Sequence, residues 1–156
     1  GEINDNGFIY NISPNNPTAD ELRKPRKKSK ARKLCMDMVT IQAHSLLNFD
    51  FYRFTTVKPK AVMVQLYHSG TVCTEGKEAN FINFLEYCNG LGIQVVIAPV
   101  DSSARVYGSA VGLAEKCTVA YDISFEMATV KVLLALGSGV DIGEELAENY
   151  FFEKLH

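Results

Sequence analysis

Apolar and polar positions along the second half of the chain repeat one unit: an apolar run, a small polar turn, then a stretch patterned like a helix. The clearest copy is Ala61-Val62-Met63-Val64-Gln65-Leu66, followed by Tyr67-His68-Ser69-Gly70-Thr71 and a helical pattern over about residues 77–91. A near-continuous apolar run suits a strand covered on both faces, as in a parallel sheet lying between helices. Similar runs at residues 36–42, 93–98 and 118–121 predict three more strands, with Pro99 ending the third of the four. Phe81, Phe84, Leu85 and Cys88 recur at helical spacing before the stop signal Asn89-Gly90. Phe125, Ala128, Val132 and Ala135 form a second stripe, capped by Asp122 or Ser124 and expected to end at Gly137. Helices are also expected near residues 107–116 and 142–152, and residues 45–54 read as a short helix or an extended connector. The predicted fold class is α/β: a three-layer α/β/α sandwich with about four mainly parallel strands.

The first 34 residues are patterned differently. Residues 7–12 suit a short strand after the Asn6-Gly7 turn signal, and Ser13-Pro14-Asn15-Asn16-Pro17 interrupts regular structure. The chain therefore divides into an arm, residues 1–34, and an α/β domain, residues 35–156. At 156 residues it is long enough for one domain with a real core. No apolar run approaches the ~20 residues of a membrane span. The polar opening Gly1-Glu2-Ile3-Asn4-Asp5 does not read as a secretory signal.

Charge changes the picture at one place. The formal net charge is -2, yet Arg23, Lys24, Arg26, Lys27, Lys28, Lys30, Arg32 and Lys33 are eight of the sixteen basic residues. Such a cluster can attract nucleic acid or an anionic membrane. It contains Pro25 and no interleaved aromatics, so it reads as a solvated connector, mobile and dispensable for folding. Cys35, Cys73, Cys88 and Cys117 are scattered without metal-ligand spacing, and His44, His68 and His156 show no HxxxH pattern. Free thiols in a reducing, cytoplasmic setting and no metal site are the expectation.

Ligands of parallel α/β sheets bind outside the carboxyl ends of the strands. The turn after the second strand lies there. Its His68-Ser69-Gly70 run is not the GxSxG nucleophile elbow, and adjacent side chains would point apart. As a ligand-facing turn it offers close backbone approach at Gly70 and hydroxyls from Ser69 and Thr71. Asp101, Ser102, Ser103 and Arg105 follow the third strand at the same edge. They suit a small ligand carrying carboxylate and ammonium groups, and equally a plain hydrophilic loop. No GxGxxG or GxxxxGK[ST] phosphate loop is present. Glu126 and Lys131 are five apart on their helix, too far round to pair, and Glu126 meets the helix dipole.

The order of these motifs resembles a known family. Tyr67-His68-Ser69-Gly70-Thr71-Val72-Cys73-Thr74, Gly92-Ile93-Gln94-Val95-Val96, Tyr107-Gly108-Ser109, Asp122-Ile123-Ser124-Phe125-Glu126-Met127-Ala128 and Lys131 to Leu136 are similar to runs in the C-terminal domain of bacterial-type asparaginases and glutaminases. Those runs look like Y-G-x-G-[TN]-x-P-T, G-I-x-V-V, Y-x-x-G and D-M-T-x-E-A-x-x-K-L. The likeness covers about residues 57–137 and is greatest to the cytoplasmic type I branch. His68 stands for the usual Gly, Cys73 where Pro is common, and Val100-Asp101 for a frequent Gln-Cys pair.

The resemblance implies a flavodoxin-like α/β/α domain of an L-asparaginase, which hydrolyses L-asparagine to aspartate and ammonia. The family's catalytic threonines lie in T-G-G-T and D-G-T-D-T-like stretches of an N-terminal domain, and neither is present here. The chain would then hold no catalytic residue and no cofactor. It would contribute contacts of a homodimer or higher homo-oligomer, and part of a substrate or effector wall at Ser69, Gly70, Thr71, Asp101 and Ser102. Thr71 matches the motif's Thr/Asn position. By the same resemblance the chain alone is expected not to hydrolyse asparagine. Two other readings remain: a stand-alone amino-acid-binding or regulatory module, and the asparaginase-like subunit of a glutamyl-tRNA amidotransferase, whose basic run would serve RNA.

Overall fold

The computed structural model describes residues 2–5, 7–9, 17–24, 32–67, 70–102, 112–150 and 152–154. The chain opens with an antiparallel hairpin, β1 (Glu2–Asn4) and β2 (Gly7–Ile9). The strand expected over 7–12 is thus one arm of a hairpin, and its last residues, 10–12, lie outside the described ones. A short exposed helix, α1 (Ala19–Arg23), follows a capping box in which Thr18 accepts from the Glu21 amide and Glu21 accepts from the Thr18 amide.

The centre of the molecule is a parallel sheet of β3 (Met38–Gln42), β4 (Ala61–Gln65), β5 (Gln94–Val100) and β6 (Thr118–Tyr121), ordered as in the chain. Alternation along each strand builds two cores. Val62, Val64, Val95 and Ile97 face one side; Ala61, Met63, Val96 and Ala98 face the other. The first face is covered by the 43–60 connector, with its 3₁₀ turn Phe49–Phe51, and by α2 (Phe81–Gly90). Phe84 is the hub there, stacked on Phe49 with ring centroids 4.6 Å apart and edged by Tyr52 at 6.4 Å. Each such ring pair contributes ~0.5–1.5 kcal/mol beyond its buried area.

The second face carries α3 (Phe125–Ser138) and α4 (Ile142–Ala147). Ala61, Ala98 and Ala120 on the sheet meet Ala128 and Ala135 on α3, and these small side chains let helix and sheet lie close. The fold is the expected three-layer α/β/α sandwich with four parallel strands and flavodoxin-like layering.

Several boundaries differ from expectation. α2 starts four residues late, because Asn80 caps it by accepting from the Ile82 and Asn83 amides at 2.9 and 3.2 Å. Pro99 lies inside β5, where the pairing with β6 shifts register between Ile97 and Val100 and asks no hydrogen from it. Residues 103–111, including the first half of the helix expected over 107–116, lie outside the described residues, and Leu113–Glu115 is a 3₁₀ turn. Gly137 does not end α3. Gly139 does, at φ 68°, and Gly137 instead lets the backbone of Lys33 approach the helix.

That approach corrects the picture of the basic run at its far end. Cys35 N donates to Leu133 O at 3.0 Å, fastening residues 33–35 along α3. Arg32 donates to both carboxylate oxygens of Glu145 at 2.6 Å and to Tyr150 Oη at 3.1 Å. Glu145 is only 1 % exposed, so Arg32 neutralises a charge that water does not reach. The hydrogen bonds it donates to Tyr150 and Glu145 push the Arg32 guanidinium further up. Lys131, 2 % exposed, pairs not with Glu126 but with Glu153 at 2.7 Å, and donates to the carbonyls of Glu145 and Glu148. α4 stops at Ala147, and the tail beyond it is spent on these contacts.

Burial also sorts the thiols. It pushes the Cys88 and Cys117 thiols up to about 12; Cys88 is fully buried, and Cys117, half-buried like Cys35 and Cys73, turns its thiol inward to donate to Leu113 O at 3.2 Å. The thiolate is the reactive form. Alkylation at pH 8 followed by peptide mapping should therefore label Cys35 and Cys73 in the native chain, and Cys88 and Cys117 only after denaturation. Equal labelling of all four under native conditions would show that the first core opens readily.

Candidate functional site

The carboxyl edge of the sheet brings two of the expected loops onto neighbouring strands. β4 ends at Gln65, and Leu66 N still donates across to Ala98 O at 3.1 Å. The chain then closes a tight turn: Tyr67 N donates to Thr71 O at 2.9 Å, and Gly70 N to Tyr67 O at 2.7 Å. Gly70 sits at φ 69°, in the left-handed region that a side chain disfavours. Thr71 is half-buried beside it. Ser69, with His68, lies outside the described residues, and so do Ser103, Arg105 and the Tyr107-Gly108-Ser109 run.

On the adjacent strand, β5 delivers Asp101 and Ser102, both exposed. Ser102 is held by Asp122, a residue the sequence offers as a possible helix cap and as the first of the Asp122-to-Ala128 run. Asp122, just past the end of β6, accepts from Ser102 N at 2.8 Å through Oδ1 and from Ser102 Oγ through Oδ2. Its own amide donates to Val100 O at 2.8 Å. Asp122 adopts φ 55°, a conformation that aspartate tolerates better than most residues. The cap of α3 is Ser124, whose Oγ accepts from Met127 N at 3.2 Å.

Lys154 donates to the carbonyl of Tyr121, the residue before Asp122, at 3.1 Å. Burial holds its ammonium below the ordinary lysine range; Lys131 adds to the effect, and Asp122 and Glu153 oppose it. One signal for Asp122 was available in the sequence. An Asp two residues before the capping Ser sits at the strand end, where a carboxylate can reach a neighbouring loop.

The strand order has a consequence for the site. Doubly wound sheets form a crevice where strand order reverses. Here the order β3-β4-β5-β6 follows the chain, and the 43–60 connector and α2 pack on one face. Among the described residues no reversal of strand order opens a crevice at this edge. Among the described residues, no three or more His, Cys, Asp or Glu group as a metal site, and no helix is long and apolar enough to cross a membrane.

Comparison with known proteins adds one kind of likeness. No protein-family model matches the chain, and no curated protein matches it in sequence. Among solved structures, it is similar to the thermostable L-asparaginase from Thermococcus kodakarensis, with a TM-score of 0.63 at 19% sequence identity. The match covers 96% of this chain and 50% of that one, so the chain spans about half the length of that enzyme. At this identity the likeness is one of fold.

Proposed function

We propose that the chain is the C-terminal, non-nucleophilic half of an L-asparaginase-type amidohydrolase, which converts L-asparagine to aspartate and ammonia. The observation that carries this reading is the near-complete match of the chain to half of an L-asparaginase. Two others support it. The motif order from Tyr67 to Leu136 resembles that family's C-terminal domain, and among the described residues no reversal of strand order opens a crevice at the carboxyl edge, where a partner domain would supply a wall. The division into an arm, residues 1–34, and a domain, residues 35–156, belongs to this proposal.

In this reading the nucleophile and its base lie in the other half, and the present chain binds and orients. Thr71 can donate to and accept from an amide or α-amino group. The Asp101 carboxylate attracts an α-ammonium. Ser69 and the Gly70 backbone complete the wall. A homodimer would supply the opposite side. No cofactor enters such chemistry, because a threonine hydroxyl suffices as nucleophile.

The test is ammonia release from L-asparagine. The chain alone should stay at background. The full-length gene product should be active, and Thr71→Ala in it should lower kcat/KM by about 1–3 kcal/mol, the scale of one or two polar contacts. The melting temperature should hardly move. A full-length product that folds and dimerises but releases ammonia from neither asparagine nor glutamine would overturn the reading, and unchanged kinetics in Thr71→Ala would remove that residue from the site.

A further inference from the structure

The clamp on Ser102 fixes more than a loop position. A serine hydroxyl has one proton to donate and two lone pairs to accept with, whereas a carboxylate only accepts. The contact between Ser102 Oγ and Asp122 Oδ2 must therefore use the serine proton. The Ser102 amide is spent on Oδ1 of the same carboxylate. What remains for a ligand at Ser102 is lone-pair density only. Asp101, the preceding residue, places an exposed carboxylate on the same loop.

The clamp is held from several sides. The Asp122 amide bonds to Val100 O, so β5 and Asp122 are tied at both ends of the loop. Ile123 bridges to Lys154, whose ammonium bonds to Tyr121 O and lies near enough to Asp122 to feel its charge.

We infer that Asp122 is the residue that makes Ser102 a pure hydrogen-bond acceptor at the carboxyl edge, so that this part of the site selects ligands presenting an ammonium or amide N–H. The inference rests on the amidohydrolase reading and assigns the α-ammonium of the substrate to Ser102 and Asp101. Asp122 is a positioning residue, acting through Ser102 and not on the substrate itself.

Asp122→Asn separates polarity from shape. Asparagine tolerates the left-handed conformation, and its carbonyl can still accept from Ser102 N. Its NH₂ group would donate to Ser102 Oγ, freeing the hydroxyl proton to point at the ligand. In the full-length gene product, kcat/KM is measured for L-asparagine and for the mono-amide of succinic acid, which lacks the α-ammonium. Asp122→Asn should reduce discrimination between them about tenfold, the scale of one hydrogen bond to a charged group reversed. The loss should fall on the KM for L-asparagine. In parallel, amide hydrogen exchange at Ser102 should remain slow in Asp122→Asn and become fast in Asp122→Gly, which keeps the backbone conformation and deletes the clamp.

Wild-type discrimination in Asp122→Asn would overturn the inference. So would equal Ser102 exchange in wild type and Asp122→Gly. If the wild-type product releases no ammonia from L-asparagine, the amidohydrolase reading fails and this assignment falls with it. Activity with unaltered discrimination defeats the assignment alone.

Discussion

Replacing Lys131 with methionine should destabilise the domain by about 3 kcal/mol, near the lower end of the cost of breaking a buried ion pair. Methionine keeps the length and most of the packing of the stem, so the loss comes from the ammonium. Without it Glu153, whose side chain is 4 % exposed, loses its counter-ion, and the carbonyls of Glu145 and Glu148 lose a donor. The chain can lower that cost by letting the tail peel away until Glu153 reaches water, which is why the lower end is expected. Urea unfolding should show a lower midpoint at nearly constant slope. Adding Glu153→Leu should restore much of the loss, since exchanging both partners of a buried pair for apolar groups is often close to neutral. A Lys131→Met midpoint equal to wild type would mean that the pair contributes nothing and the tail is already loose.

Gly137→Ala should also destabilise, by about 1–3 kcal/mol, against the ordinary trend for this substitution. In a helix interior alanine is favoured over glycine by ~0.5–1 kcal/mol. At this position a Cβ would stand 1.9 Å from Lys33 O and 2.6 Å from Lys33 C. Backbone, not the end of a flexible side chain, must give way. The overlap therefore outweighs propensity, and residues 33–35 should move off α3, breaking the Cys35-to-Leu133 hydrogen bond. A lowered melting temperature with faster tryptic cleavage after Arg32 and Lys33 is the expected result. A raised melting temperature would show that the segment does not lie against the helix.

These two positions mark where sequence reasoning reached its limit. The Lys131 ammonium lies on a helix whose pattern was legible, but its partner is 22 positions away on an irregular tail, and no periodicity announces such a pair. Gly137 looked like a helix stop because glycine usually is one. Only the passage of another backbone over it explains why it sits inside the helix. Arg32 reads as one more charge in a solvated run, yet among the described residues of that run it alone reaches the buried Glu145 carboxylate. The candidate site divides in the same way. The turn around Gly70 and the Asp101-Ser102 loop follow from their place after apolar strands, while nothing in the pattern around Asp122, a candidate cap alongside Ser124, shows that its carboxylate holds Ser102.

The local signals are short-range physics. A strand buried on both faces must be apolar throughout, so β4 and β5 declared themselves and with them the layered α/β class. Helix stripes at Phe81, Phe84, Leu85 and Cys88 and at Ala128, Val132 and Ala135 did likewise, because one face of each must meet the sheet. The order of motifs carried the likeness to asparaginases, and the fold match is in keeping with it. Tertiary structure decided what depends on groups far apart in the chain: the sequential order of the four parallel strands, the desolvated pairs that tie Arg32 to α4 and the C-terminal tail to α3, and the carboxylate that turns Ser102 into an acceptor. Hydrophobic burial is additive along a strand and leaves a pattern. A hydrogen bond or ion pair between distant residues depends on a few tenths of an ångström set by the whole fold, and leaves none.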